Sequence, residues 1–190
     1  MKRFKKWTVL LAVAFVISVS TAGCTTNVVN QTSNVGNQTS ASSANMTTYN
    51  SGNFTITYPK SWMNTTNRAR TLDTFSVTCT TKNNTFLGAV FVNSSTPIVF
   101  STYTATHVED MQNDSNVTII ESGNATLAGN QGYKLVYTTN YSGTLGIRKT
   151  MELWTVKDGK AYIITYRARP GDYDVSADTV QKMIDSFKIK

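Results

Sequence analysis

His107 is the only histidine in the chain, so acid–base or metal chemistry is sought there first. A zinc site needs several nitrogen or sulfur ligands, and no second histidine or cysteine stands at a useful spacing. No Gly-x-Ser-x-Gly nucleophile elbow is present. Tyr103 and Met111, four residues to either side, make His107 a residue on one helix face. Asp172, Asp174 and Asp178 form the one acidic cluster. A weak calcium site is one reading of it, but the alternating acids, glycine and terminal glutamate of a calcium loop are missing. The same carboxylates suit the start of a helix, where free N–H groups and the dipole favour negative charge. Cys79 shares a strand face with Phe75 and Val77 and reads as a small core residue; no basic neighbour is there to activate it. The expectation is a protein without catalytic residues or cofactor. An envelope hydrolase using His107 and a surface protein binding a small solute or calcium are the alternatives.

Recognition is better served than reaction. Tyr141 and Tyr173 fall in loops, and Arg167 and Arg169 close the last strand. Aromatic rings with arginines anchor partners well, so these four are the expected binding surface.

The elements that must position these groups follow from periodicity. Lys157-Asp158-Gly159-Lys160 is a type I′ hairpin signal. With Asp158 and Gly159 as the loop, Trp154 pairs with Ile163 and Leu153 with Ile164. Both faces near the turn are apolar, so the sheet is covered on both sides. Val180, Met183, Ile184 and Phe187 follow at i, i+3, i+4 and i+7, the stripe of a helix packed on that sheet. Earlier strands are expected at 54–58, 73–80, 86–92, 117–121, 126–127 and 133–137, with a helix over 102–112. The expected class is α+β: an αβα sandwich, with a central antiparallel sheet flanked by helices.

The N-terminus carries an address. Lys2, Arg3, Lys5 and Lys6 precede an apolar run from Trp7 to Val19 that is shorter than the roughly 20 residues a membrane span needs. Ala22-Gly23-Cys24 matches the core of a lipobox, although Thr21 stands where an aliphatic residue is usual. Residues 1–23 are therefore expected to be a lipoprotein signal peptide, with lipid on Cys24. The expected location is the extracytoplasmic face of the cell membrane, held there by that lipid. The full chain of 190 residues has a net charge of +7. Removing the four leader cations leaves fourteen basic against eleven acidic residues, net +3. That is too mild and dispersed for a nucleic-acid footprint.

Residues 24–51 are rich in Asn, Thr and Ser and read as a disordered tether. Eleven Asn-x-Ser/Thr sequons are candidate glycosylation sites: Asn30, Asn37, Asn45, Asn53, Asn64, Asn83, Asn93, Asn113, Asn116, Asn124 and Asn140. A lipoprotein with so many sequons fits an archaeal envelope better than a bacterial one. Residues 52–190 are expected to be one domain.

Its motifs resemble a known family. Phe54-x-Ile56-x-Tyr58-Pro59-x-x-Trp62 is similar to the opening of PsbP-like domains. Leu127-Ala128-Gly129 with Gly132-Tyr133-x-Leu135 is similar to their middle. Trp154-x-Val156-x-Asp158-Gly159-Lys160-Ala161-Tyr162, then Met183-Ile184-Asp185-Ser186-Phe187, is similar to their end. The resemblance implies the αβα sandwich. It also implies a choice of roles: plant members are extrinsic photosystem II subunits that retain calcium and chloride, and others are prokaryotic lipoproteins. The leader and sequons point to the lipoprotein branch. The expected function is a non-catalytic, lipid-anchored PsbP-like protein that binds or stabilises a protein partner in the envelope or a membrane complex.

Overall fold

The computed structural model describes residues 45–69, 71–79, 85–143 and 146–190. The expected signal peptide, Cys24, Asn30, Asn37, Asn83 and most of the tether lie outside the described residues. Among the described residues ten strands occur: β1 (Met46–Asn50), β2 (Phe54–Pro59), β3 (Met63–Arg68), β4 (Leu72–Cys79), β5 (Thr85–Val92), β6 (Val117–Leu127), β7 (Asn130–Tyr141), β8 (Gly146–Lys157), β9 (Lys160–Ala168) and β10 (Lys188–Ile189). Two α-helices accompany them in the described residues, α1 (Phe100–Asn113) and α2 (Ala177–Asp185). No helix among the described residues is long and apolar enough to cross a membrane.

The strands form two antiparallel sheets. Seven run in the order β3-β4-β5-β9-β8-β7-β6, and three in the order β1-β2-β10. The expected helix-flanked αβα sandwich is therefore overturned: the described chain is mostly strand, and a second sheet faces the first across the core. The cause lies in β2. Phe54, Ile56 and Tyr58 all point inward and are buried, while β1 and β10 pair along its two sides. This strand is thus the centre of a sheet of its own. The expected disordered tether also ends earlier than residue 51, because Met46–Asn50 pairs with β2 from Met46↔Pro59 to Asn50↔Thr55.

The main core fills the space between the sheets. Phe75, Val77, Leu87, Ala89, Phe91, Leu153, Tyr162, Ile164 and Tyr166 face it from the large sheet. Val180, Met183, Ile184 and Phe187 enter from α2 and the residues just after it, all buried. At ~1.5–3 kcal/mol per buried large apolar side chain, this stripe is a substantial part of what holds the helix in place. Trp62 is buried in the same cluster, and Cys79 packs half-buried against it.

The opposite face of the large sheet is covered by α1. The hairpin register is the expected one, with Trp154↔Ile163 and Leu153↔Ile164. Asp158 and Gly159 both have positive φ, as the type I′ turn demands. Gly159 does more than reverse the chain. Its carbonyl accepts the Ile98 N–H at 2.8 Å, and a Cβ there would stand 2.9 Å from Pro97. The turn therefore seats the chain entering α1.

Candidate functional site

Strand alternation places Arg148, Thr150, Glu152 and Trp154 of β8 on the α1 face. Tyr133, Leu135, Tyr137, Thr139 and Tyr141 of β7 lie beside them, with Ile163, Thr165 and Arg167 of β9 on the other side. The result is a track that runs from an aromatic pocket under α1 to a basic surface beyond its reach.

Trp154 is fully buried at the covered end. Tyr133 lies 5.3 Å from its ring, and the His107 imidazole meets it edge-on at 5.0 Å. Its indole N–H donates to the Thr104 hydroxyl at 3.0 Å, so the helix is tied to the sheet by a polar as well as an apolar contact. One turn along α1, His107 Nε2 meets Glu152 Oε2 at 2.6 Å, and the Tyr137 hydroxyl donates to Glu152 Oε1 at 3.0 Å. Burial draws the His107 pKa down. The hydrogen bond and charge of Glu152, with the charge of Asp110, push it up further, and the net shift is upward. Burial and the Glu152 charge raise Tyr103 and Tyr137 well above the ordinary tyrosine range. The knot is a hydrogen-bonded His107–Glu152 pair under a helix, and an ion pair when His107 carries its second proton. Among the described residues, no Ser, Thr or Cys hydrogen-bonds the His107 ring.

The expected four-residue surface is split by the structure. Tyr141 and Arg167 come together on the α1 face, with the Arg167 guanidinium 5.9 Å from the Tyr141 ring centre. Arg169 follows on the same side, close enough for its charge to act on Arg148. Tyr173 is on the other face, 4.6 Å from Tyr166 and capped by Lys149 at 4.1 Å. Parity explains the split, since Tyr166 and Arg167 are consecutive in β9 and point to opposite sides. Arg148 and Glu152 are the residues that sequence reasoning passes over. Their even spacing with Trp154 along β8 is the available signal.

Asp172 and Asp174 sit in two short 3₁₀ turns before α2, and Asp178 in its first turn. Among the described residues no three His, Cys, Asp or Glu side chains group so as to hold a metal. Asp174 stands 4.0 Å from Lys149. Six sequon asparagines are exposed: Asn45, Asn64, Asn113, Asn116, Asn124 and Asn140. Asn53 and Asn93 are half-buried, and the Asn53 side-chain amide donates to Asp73 at 3.2 Å. On the core side, an open groove of about 440 Å³ lies between α2 and the β6–β7 turn, lined by Leu127, Lys134, Met151 and Ile184.

Comparison with known proteins places this geometry in context. A family model described as PsbP-like protein matches residues 8–189. No curated protein matches. Among solved structures, the solution structure of cyanobacterial PsbP (CyanoP) from Synechocystis is similar in fold. Its TM-score is 0.56 at 13% identity, covering 82% of this chain and 99% of that one. LpqN of Mycobacterium tuberculosis, described as involved in cell envelope biogenesis, gives a TM-score of 0.47 at 12% identity, covering 76% and 90%.

Proposed function

The chain belongs to the PsbP-like family, and from that premise we propose that it is a non-catalytic docking module, held by lipid at Cys24 on the outer face of the cell membrane. Its partner is a protein of the envelope or of a membrane complex. The docking face is the open end of the β8–β9 track: Tyr141, Arg148, Arg167 and Arg169.

One observation carries this reading. The charged groups of the track divide into a closed set and an open set. Both Glu152 oxygens are engaged by His107 and Tyr137 under α1, which leaves that pair structural. The arginines beyond it enter no ion pair among the described residues, and Tyr141 stands with them. Arginine and tyrosine in a shared patch are the side chains that interface hot spots favour. The leader supports the address, and the exposed sequons fit an exported surface that carries glycans.

A photoreactive residue in place of Tyr141 tests the docking face in native membranes. The expected result is a reproducible crosslinked protein that disappears when Arg148 and Arg167 are both changed to Gln. Capture of nothing reproducible, or capture indifferent to those arginines, refutes the face. Intact-mass spectrometry of the same sample tests the anchor: cleavage before Cys24 with added lipid mass is expected, and a retained Met1 overturns it.

A further inference from the structure

Two polar atoms beneath the basic end of the track are buried without a hydrogen-bond partner: the Thr150 hydroxyl and Arg167 Nε. They are cross-strand neighbours, because Thr150 of β8 pairs with Arg167 of β9. Thr150 is wholly buried. Leaving a buried donor unpaired costs about 1–3 kcal/mol, so two adjacent donors mark a place that an acceptor should fill.

The charge around them has the same sign. Lys149 pairs with Ala168, which brings Arg148 and Arg169, one residue along on each strand, side by side. Burial, then the charges of Arg169 and Arg167, lower the Arg148 guanidinium from its usual range. Asp172 is the carboxylate whose charge reaches Arg148, yet it makes no ion pair with it. Glu152, next along β8, is already engaged by His107 and Tyr137. A side-chain nitrogen of Arg148 donates to the Ile147 carbonyl at 3.1 Å. Phe86 and Tyr141 each lie 5.9 Å from the Arg167 guanidinium and wall it in on two sides.

We infer that Arg148, Arg167 and Arg169, with the Thr150 hydroxyl, form a site for a phosphate-type oxyanion. Guanidinium forks match the paired oxygens of such a group, and a hydroxyl adds a further donor. A phosphate-type group offers more acceptor oxygens, and as a dianion more charge, than a single carboxylate, and so suits three guanidiniums better. The phosphate comes either from a free phosphorylated solute or from a phospholipid headgroup. This inference rests on the reading of this face as a binding surface and names the chemistry it takes.

The test uses the full chain, with calorimetric titration at low ionic strength so that exposed charge is not screened. The probes are inorganic phosphate and dihexanoyl phosphatidylglycerol below its micelle threshold. Saturable one-to-one binding is expected, weakened ~10-fold or more by Arg167→Gln and by Arg148→Gln. Arg167→Lys keeps the charge but loses the fork, and an intermediate loss is expected. Arg68→Gln, on the far edge strand, should leave affinity unchanged. Thermal melts confirm that each variant folds, and Thr150→Val, close to isosteric, gives a second route with a smaller loss. Tighter binding of the phosphatidylglycerol assigns the headgroup as source; binding of inorganic phosphate alone assigns a soluble one. Saturation by neither probe, or affinities indifferent to Arg148 and Arg167, overturns the inference. If the Tyr141 crosslink persists in that case, only the oxyanion chemistry falls; if phosphate binds and the crosslink catches nothing, only the protein-docking reading falls.

Discussion

Changing Glu152 to Gln should remove a pH dependence of stability whose sign follows from the structure. Glu152 joins α1 to the sheet: His107 holds one carboxylate oxygen at 2.6 Å and Tyr137 the other at 3.0 Å. The His107 and Glu152 side chains are 27% and 15% exposed, so the pair is only partly screened. His107 has a raised pKa in the folded chain, the opposing effect of burial being outweighed by Glu152 and Asp110. The folded state therefore holds the proton more tightly than the unfolded state, where histidine titrates near pH 6.5. The stabilisation is fully present below about pH 6.5 and is lost as pH rises through the folded value. A hydrogen bond to a charged group contributes about 1.5–3 kcal/mol, and a neutral one about 0.5–1.5. Unfolding free energy should fall by about 1 kcal/mol across that interval. Urea unfolding followed by tryptophan fluorescence, at constant ionic strength from about pH 6 to about pH 9, measures it. Glu152→Gln and His107→Gln should each flatten the profile, and the double variant should be no flatter than either, with a coupling of about 1 kcal/mol near pH 6. A wild-type profile that rises with pH in this window, or one that His107→Gln leaves unchanged, refutes the reasoning.

Three further outcomes are expected. Thr104→Val strands the buried Trp154 N–H and should lower stability by about 1–3 kcal/mol in urea titration, while α1 stays helical by circular dichroism. Gly159→Ala forces a side chain into φ +71° and against Pro97, and the melting temperature should drop by several degrees for a loss of about 1–2 kcal/mol. Met183→Ala opens a cavity at a fully buried position between α2 and the two sheets, and calorimetry should show a loss of about 2–5 kcal/mol.

The parts of the fold that local chemistry dictates are legible in the sequence. Asp158-Gly159 sets the hairpin register because few dipeptides accept two positive φ values. The α2 stripe is legible because four apolar residues recur at helical spacing. The misses share a cause, which is that pairing partners are chosen by the whole fold. Met63–Arg68 reads M-N-T-T-N-R, with almost no apolar signal, and is a strand only because β4 offers it an edge. Met46–Asn50 resembles tether for the same reason. Ala128 takes a positive φ beside Gly129, so β6 and β7 join in a tight hairpin that an alanine does not announce. In the candidate site, residue type alone finds Arg167 and Tyr141, but it wrongly joins Tyr173 to them, because proximity in a loop says nothing about which face a ring takes. Glu152 reads as the solvent-facing end of a strand; α1, 45 residues earlier, covers it.

The small sheet also joins the two ends of the domain. Strand β2 takes one neighbour from just before it and the other from β10, and the contact from Thr57 to Ser186 spans 129 residues. Closing so long a loop costs entropy, and this edge can pair only once the C-terminal strand is available. Phe54 and Ile56 therefore lack their full cover until α2 and β10 are in place. The small sheet is thus complete only when the two ends of the domain have met.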